Sequence, residues 1–584
     1  MPVFTALVCW ETNIVCSSVH YAKKIISLLE RFPSCKFAMS SAHAPGNRHR
    51  RLSSGLTLSS FDHLQHLWRS AIVTLAPSTA PPPNHFFTPQ DICRLHDQDG
   101  LNRASIDAQT WDDLLLPSFE DKLAPDASIF GRQVLHRRLR AGVDDAACSA
   151  QRTRLQGLIA DPARVAALHA QLRMLRHADV DVSALLFGDT PPATPWWSRW
   201  LWLLPVLLLV SVAALVTLPL GWVLTLAALA PLMALQIRYH QEIEGWTATI
   251  RSLGALLATV GLLGKGGGAL TEPFVAARAA ATRLHVRLER PFALRMIPGG
   301  RQYADWFAAG NIAHYFRTAR IVFGQRAFLR ECYLACANLE ADVALARHLS
   351  AMPRWCWAER GGARELLLED GVHPLMAQPA PLSLSLQERG AFVSGQNASG
   401  KSTFLRMVGL NLLAARAFGF CYATRARLPA VPVRASMQNE DSLLGGESLY
   451  MAELRRAREL LEAAGQPAGV CLIDEVFRGT NHLESVSAAA AVLEQLSEHD
   501  LVLVSSHNLV LAPLLQAGFD AICIDTTSGR PVLQKGVLRN PNGIALLARE
   551  GFGPQIEGRA AEVARWLSGH LLEPVTGAPT VKQA

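Results

Sequence analysis

Residues Gly390 to Leu413 read G-A-F-V-S-G-Q-N-A-S-G-K-S-T-F-L-R-M-V-G-L-N-L-L. Ala391-Phe392-Val393 is an apolar run suited to a buried strand, and Leu405, Val408 and Leu412 recur at helical spacing. Between them, Gly395, Gly400, Lys401 and Ser402 complete a G-x-x-x-x-G-K-[ST] pattern. Strand, glycine-rich loop and helix is the order that phosphate recognition needs. Glycines let backbone N–H groups close around an anion, and the helix start adds the positive end of its dipole. In this reading Gly395, Gln396, Asn397, Ala398, Ser399, Gly400, Lys401, Ser402 and Thr403 cradle ATP. Lys401 reaches the β- and γ-phosphates, and the Ser402 hydroxyl ligates Mg²⁺.

A second motif agrees with the first. Val470-Cys471-Leu472-Ile473 is an apolar strand ending in Asp474-Glu475, at the edge of a parallel sheet where ligands gather. Asp474 suits Mg²⁺ coordination, and Glu475 suits polarising an attacking water as a general base. Leu501-Val502-Leu503-Val504-Ser505-Ser506 is another buried-strand run, followed by His507 on the same edge, placed to sense a γ-phosphate.

These residues resemble the MutS group of ATPases, within the wider ABC-type class. The resemblance rests on Gly395-Gln396-Asn397 through Lys401-Ser402-Thr403, and on Asp474-Glu475-Val476-Phe477-Arg478-Gly479-Thr480-Asn481, of which Arg478-Gly479-Thr480 is the most family-specific part. It extends to Ser506-His507, to His373-Pro374-Leu375 and to Gly445 through Leu454, which is similar to the family's signature segment. The resemblance implies a homodimer in which two ATP molecules lie between one subunit's phosphate loop and the other's Ser448–Glu453 segment. It also implies a helical clamp acting on DNA, switched by hydrolysis. Gln396 stands where a proline is common in the family, and Ala398-Ser399 replace the more usual Met-Gly. Only backbone N–H groups are needed there, so activity is expected to survive. No convincing Phe-x-Glu wedge of the mismatch-reading members is found, which sets mismatch recognition itself apart from the rest of the resemblance.

Between Arg199 and Arg238 lie 38 residues without a charge, broken at Pro219-Leu220-Gly221. Trp200–Leu218 and Trp222–Ile237 are each close to the ~17–20 apolar residues a bilayer span requires. Trp196, Trp197, Trp200 and Trp202 cluster at one end, Trp222 lies at the turn and Tyr239 at the return, as in interfacial belts. The expectation is a transmembrane helical hairpin over 200–237. Arg199 and Arg238 put both flanks in the cytoplasm. This hairpin accounts for a chain with 50% hydrophobic and only 18% charged residues.

The rest is organised around these two stretches. Residues 1–105 read as a poorly ordered extension without a signal peptide, carrying +5 of the formal net charge of +7 within residues 1–60. Residues 106–190 read as the first part of an all-α core, with Asp112-Asp113 as a helix start, one amphipathic helix from Gly131 to Leu139 and another from Arg152 to Leu172. The hairpin occupies 196–238. Residues 239–357 read as a second helical lever, with helices at Ile243–Leu263, Pro273–Leu288, Tyr303–Thr318 and Gln325–Ser350. Arg278, Arg283, Arg287 and Arg290 lie along it, more simply a solvated face than a DNA contact. The C-terminal α/β ABC-type P-loop ATPase domain spans 358–572, and 573–584 form a disordered tail. Eleven cysteines without C-x-x-C pairs, with Cys332 and Cys336 one helical turn apart, imply neither a metal site nor a disulfide framework.

Three loads remain for such an engine: DNA, a membrane-bound protein partner, or a transported solute. Leu444-Gly445-Gly446-Glu447 looks superficially like a transporter signature, but it lies farther upstream of Asp474 than transporters place theirs. Two spans cannot line a pathway without many subunits.

Overall fold

The computed structural model describes residues 87–98, 106–188, 195–290, 300–437, 449–477, 481–527, 529–538, 543, 547 and 550–571. The N-terminal half of these is helical. In chain order α1 (Pro89–Gln98), α2 (Ala108–Asp113), α3 (Leu116–Leu123), α4 (Ile129–Ala141), α5 (Asp145–Ile159), α6 (Pro162–Leu172) and α7 (Ser183–Phe187) lead to the hairpin. Aspartates start three of them by accepting orphan backbone N–H groups: Asp107 from Thr110 at 2.8 Å, Asp144 from Ala147 at 2.7 Å and Asp161 from Arg164 at 3.0 Å.

Those caps correct two expectations. The helix expected over Arg152–Leu172 is two helices, because Asp161 caps a new start at Pro162, whose ring lacks the N–H a continuous helix would need. Asp112-Asp113 do not open a helix but close α2, and Asp113 is buried. Within the stretch read as a poorly ordered extension, α1 is a helix that packs on α4 and buries Leu95 completely.

The hairpin follows as α8 (Leu203–Thr217) and α9 (Gly221–Leu263). α9 corrects a further expectation: the second arm and the helix expected at Ile243–Leu263 are one continuous 43-residue helix, roughly 64 Å long. Arg238 and Glu242, which mark the end of the apolar run, do not interrupt it. They form an i,i+4 pair at 2.8 Å on its surface. In α8, Leu207, Leu209 and Val210 are 54, 70 and 62% exposed. α9 is long and apolar enough to cross a membrane, and only 17% of its most apolar 18 residues is buried. Its last turns instead bury Leu253, Leu256, Leu257, Val260 and Leu263 in the main core.

Beyond it lie α10 (Glu272–Leu288), α11 (Gly300–Phe307), α12 (Gly310–Gly324) and α13 (Arg326–Ala351). The single helix expected at Tyr303–Thr318 breaks at Ala309, whose φ of +47° is left-handed. Arg278, Arg283 and Arg287 are exposed on α10, whereas Arg290 lies past its end and pairs with Asp305 at 2.6 Å. α13 is the axis of the helical part. Its buried Glu340 accepts from the backbone N–H groups of Ser128 and Gly131, both at 2.9 Å, and a side chain at Gly131 would meet that carboxylate at 2.8 Å.

The C-terminal part runs β1 (Cys356–Trp357), β2 (Glu359–Arg360), β3 (Glu365–Gly371), β4 (Leu382–Gln387), β5 (Gly390–Gly395), α14 (Lys401–Phe418), β6 (Phe420–Cys421), β7 (Arg425–Leu428) and β8 (Val433–Ser436). It continues through α15 (Leu449–Ala463), β9 (Val470–Asp474), α16 (His482–His499), β10 (Leu501–Ser505), α17 (Leu511–Leu514), β11 (Phe519–Asp525), β12 (Val532–Lys535) and α18 (Pro554–Leu571). Six strands form a sheet in the order β12-β11-β5-β10-β9-β8, parallel except for β12. Its central strands are apolar runs because both faces are covered. Ala391, Val393, Leu501 and Leu503 face the core that contains α14, while Phe392, Val502 and Val504 face Ala489, Leu493 and Leu496 of α16. The strand-to-helix closure expected from Leu533 to Leu547 includes β12, and most of the remainder lies outside the described residues, as do residues 573–584.

Candidate functional site

Successive parallel strands end on the same edge, so the motifs of β5, β9 and β10 meet there. β5 and β10 are neighbours, as are β10 and β9. The glycine-rich loop leaves β5 at Gly395 and enters α14 at Lys401. Two of its residues adopt left-handed backbone, Gly400 at φ +92° and Ala398 at φ +59°. Glycine accepts this freely. Alanine does so at a cost, a strain of the kind found where a backbone is shaped to hold something.

The loop closes on its own lysine. Lys401 Nζ donates to the carbonyl oxygens of Gly395 at 3.2 Å and Gln396 at 3.4 Å, and stands 3.3 Å from His507 Nε2. Burial holds this ammonium below its ordinary value, opposed by the carboxylates of Glu475 and Asp474. The same His507 nitrogen lies 3.0 Å from Glu475 Oε1. Glu475 also has a left-handed φ, +59°, while its N–H still donates to Ser505 O at 2.9 Å. The strand thus ends in a turn that swings the carboxylate towards His507.

Asp474 is bound by a residue that the motif reading left without a role. Ser505 is its register partner across β10 and β9, so their side chains share a face, and the Ser505 hydroxyl donates to Asp474 Oδ1. The signal lay in the sequence: a serine at the end of the strand preceding His507.

Lys401, Asp474, Glu475 and His507 are therefore brought together at one edge, beside Gln396, Asn397, Ser399, Ser402 and Thr403. The residues fit an anion with a cation. Ser399 is buried, and its hydroxyl lacks a partner among the described residues. At Gly395 a Cβ would come within 2.5 Å of that hydroxyl, so the loop is shaped around the absence of a side chain. Among the described residues no cluster of three or more His, Cys, Asp or Glu side chains could hold a metal unaided. A divalent ion here would draw on Ser402 and Asp474 together with its anion.

Ser448 and Arg478-Gly479-Thr480 lie outside the described residues. Glu453 lies on α15 with its side chain buried, 4% exposed, rather than offered to a neighbouring chain.

The site is joined to the helical part by contacts that no motif indicates. The outer edge of β8 would carry unpaired backbone groups. Ala435 N–H instead donates to Thr110 Oγ1 at 2.9 Å and Met437 N–H to Asp113 Oδ2 at 2.8 Å, while Arg456 of α15 donates to Ala435 O and to Asp107 Oδ1. On the other side of the sheet edge, Arg406 of α14 donates to Asp113 O at 2.8 Å. α2 thus touches both the helix after the glycine-rich loop and the helix after β8.

Residues 391–522 match the family model of MutS domain V. The chain is 29% identical over 252 residues to the DNA mismatch repair protein msh3 of Emericella nidulans, covering 41% of this chain and 22% of that protein. It is 34% identical over 188 residues to the DNA mismatch repair protein MutS 1 of Halobacterium salinarum, covering 31% and 21%. It is also 34% identical over 178 residues to the DNA mismatch repair protein MutS of Thermus thermophilus, covering 29% and 21%. The chain thus spans about a fifth of the length of these relatives. With its matched domain V and these likenesses, the C-terminal part of the chain is similar to MutS proteins.

Proposed function

We propose that the chain is a membrane-tethered, MutS-type ATPase of the ABC class that couples hydrolysis to a helical clamp on DNA. The observation that carries the ATPase reading is the Lys401–His507–Glu475 chain of contacts, closed at 3.3 and 3.0 Å on the edge where the glycine-rich loop opens. ATP supplies the phosphoryl group and Mg²⁺ offsets its charge when both are bound. Lys401 would then exchange the loop carbonyls for phosphate oxygens, and Ser402 and Asp474 would hold the ion. Glu475 accepts the proton of the attacking water, and His507 lies within reach of both Glu475 and Lys401.

The relatives' names speak of DNA mismatch repair, which favours DNA as the load. Following the family resemblance, two copies would trap nucleotide between the loop of one and the Ser448–Glu453 segment of the other. Glu453 is buried, so its participation requires α15 to shift. The tether is the α8–α9 hairpin, supported by the exposure of its apolar side chains. Arg199 and Arg238 at its base favour placing the N-terminal region and the ATPase domain on the cytoplasmic side of the membrane. That exposed hairpin also favours a second load, a membrane-embedded protein partner.

The test measures ATPase rate with no DNA and with homoduplex, mismatched and branched DNA, alongside salt-sensitive retention on DNA. Stimulation and retention support the DNA clamp. Turnover without either moves the load to a protein, and absence of turnover ends the ATPase reading.

A further inference from the structure

β1 and β6 pair antiparallel with Cys356 directly opposite Cys421, and their sulfurs lie 3.5 Å apart. Opposed residues of an antiparallel pair hold their Cα atoms about 4.5–5.5 Å apart. A disulfide needs about 4.4–6.8 Å, so this seam meets the requirement without backbone movement. Both thiols are free. Their surroundings differ in a way that divides the labour. Cys356 is partly exposed, whereas Cys421 is completely buried.

The two thiols share a hydrogen bond in which either sulfur can be the donor; this contact holds the Cys356 thiol below its ordinary value and, with burial, pushes Cys421 far up. Among the described residues every other cysteine is pushed up, Cys93 to about 11 and Cys332 to about 12, chiefly by burial. A partly exposed cysteine held below its ordinary value beside a buried second thiol is the arrangement of an attacking and a resolving cysteine.

We propose that Cys356 and Cys421 form a thiol modification site that takes a low-molecular-weight disulfide and closes into an intramolecular bridge. The Cys356 thiolate attacks one sulfur of glutathione disulfide, forming a mixed disulfide and releasing one glutathione thiolate, which takes up a proton. Cys421, deprotonated as it reacts, attacks the Cys356 sulfur, breaks the mixed disulfide and releases the second glutathione. The two protein thiols lose two electrons and two protons, and the reagent gains them as two thiols. The bridge joins β1, which continues from α13, to the end of α14. It encloses the whole segment from β2 to α14, including the glycine-rich loop. Ala358 N–H already donates to Gly419 O at 3.0 Å across this seam, so oxidation would fix a joint that hydrogen bonds now hold.

The proposal stands on the fold alone and is independent of the nucleotide reading. The full chain is incubated, folded, with glutathione disulfide, then alkylated under denaturing conditions and mapped by mass spectrometry. The expected result is a Cys356–Cys421 linked peptide that appears before modification of Cys93 or Cys148 and is reversed by dithiothreitol. Cys421→Ser is expected to retain glutathione on Cys356, and Cys356→Ser to yield neither product. A wild-type chain in which Cys356 stays alkylatable while other cysteines react overturns the proposal. So does a mixed disulfide that persists on Cys356 with Cys421 still free. Because both of these outcomes are read on the wild-type protein, a variant that fails to fold leaves the test intact.

Discussion

Lys401 Nζ and His507 Nε2 face each other at 3.3 Å, and the same ring nitrogen lies 3.0 Å from Glu475 Oε1. A single ring nitrogen carries at most one proton, so it either accepts from Lys401 or donates to Glu475. Whatever draws Lys401 away leaves His507 free to donate to Glu475. Lys401→Ala is therefore expected to weaken ATP binding by about two orders of magnitude or more, measured by titration calorimetry. Unchanged affinity would remove the loop from the mechanism.

Glu475→Gln keeps the shape and the hydrogen-bonding reach of the side chain but cannot accept a proton as a carboxylate does. Nucleotide binding is expected to persist while turnover falls about 100-fold, the usual weight of a general base. ATP should then accumulate the dimer, read by light scattering. Wild-type turnover would mean that another group activates the water.

Arg456 is buried, and its guanidinium donates to Ala435 O at 2.5 Å and to Thr110 Oγ1 and Asp107 Oδ1, both at 3.1 Å. Removing it takes a shared donor from Ala435 O, Thr110 Oγ1 and Asp107, and also from Glu459, where α2 meets the sheet edge. Arg456→Ala is expected to cost about 3 kcal/mol by denaturant unfolding. Asp107→Asn should cost about 1 kcal/mol, because that carboxylate is 41% exposed. Equal midpoints for Arg456→Ala and the parent would refute this account of the joint.

Two buried histidines set an acid limit. Burial, reinforced by Lys122, lowers His348 from 6.5 to about 4, and burial with Arg406 and Lys122 does the same to His373. Between pH 6.5 and 4 the unfolded chain binds protons that the folded chain refuses, so stability rises with pH there and is lost on acidification. The displacement corresponds to about 3 kcal/mol for each histidine. His348 Nε2 also meets Tyr422 OH at 2.9 Å. His348→Gln should flatten the pH dependence of the unfolding midpoint over this window, and an unchanged slope would exclude it as a contributor.

The hairpin prediction rests on exposure. Leu207, Leu209 and Val210 project from α8 without cover. Placing aspartate at these positions is expected to cost about 3 kcal/mol each at bilayer depth. The parent chain should float with liposomes and the triple variant should stay with the soluble fraction. Flotation of both would assign the membrane contact elsewhere.

The sequence by itself determined the sheet edge. A glycine-rich loop between a strand and a helix, and acids or a histidine after two further apolar strands, are local patterns whose positions relative to a parallel sheet follow from chain direction alone. Helix continuity was harder to read, because charges such as Arg238 mark polarity and not a break, so α9 runs through them. What only the tertiary structure decided is the long-range pairing. Ser505 on Asp474, Thr110 and Asp113 on the edge of β8, Arg456 on Asp107, and Cys356 against Cys421 join residues 31 to 349 positions apart. No periodicity encodes such contacts. They exist because buried backbone and side-chain polar groups must find partners once the core has closed, and the closed core determines which partners are within reach.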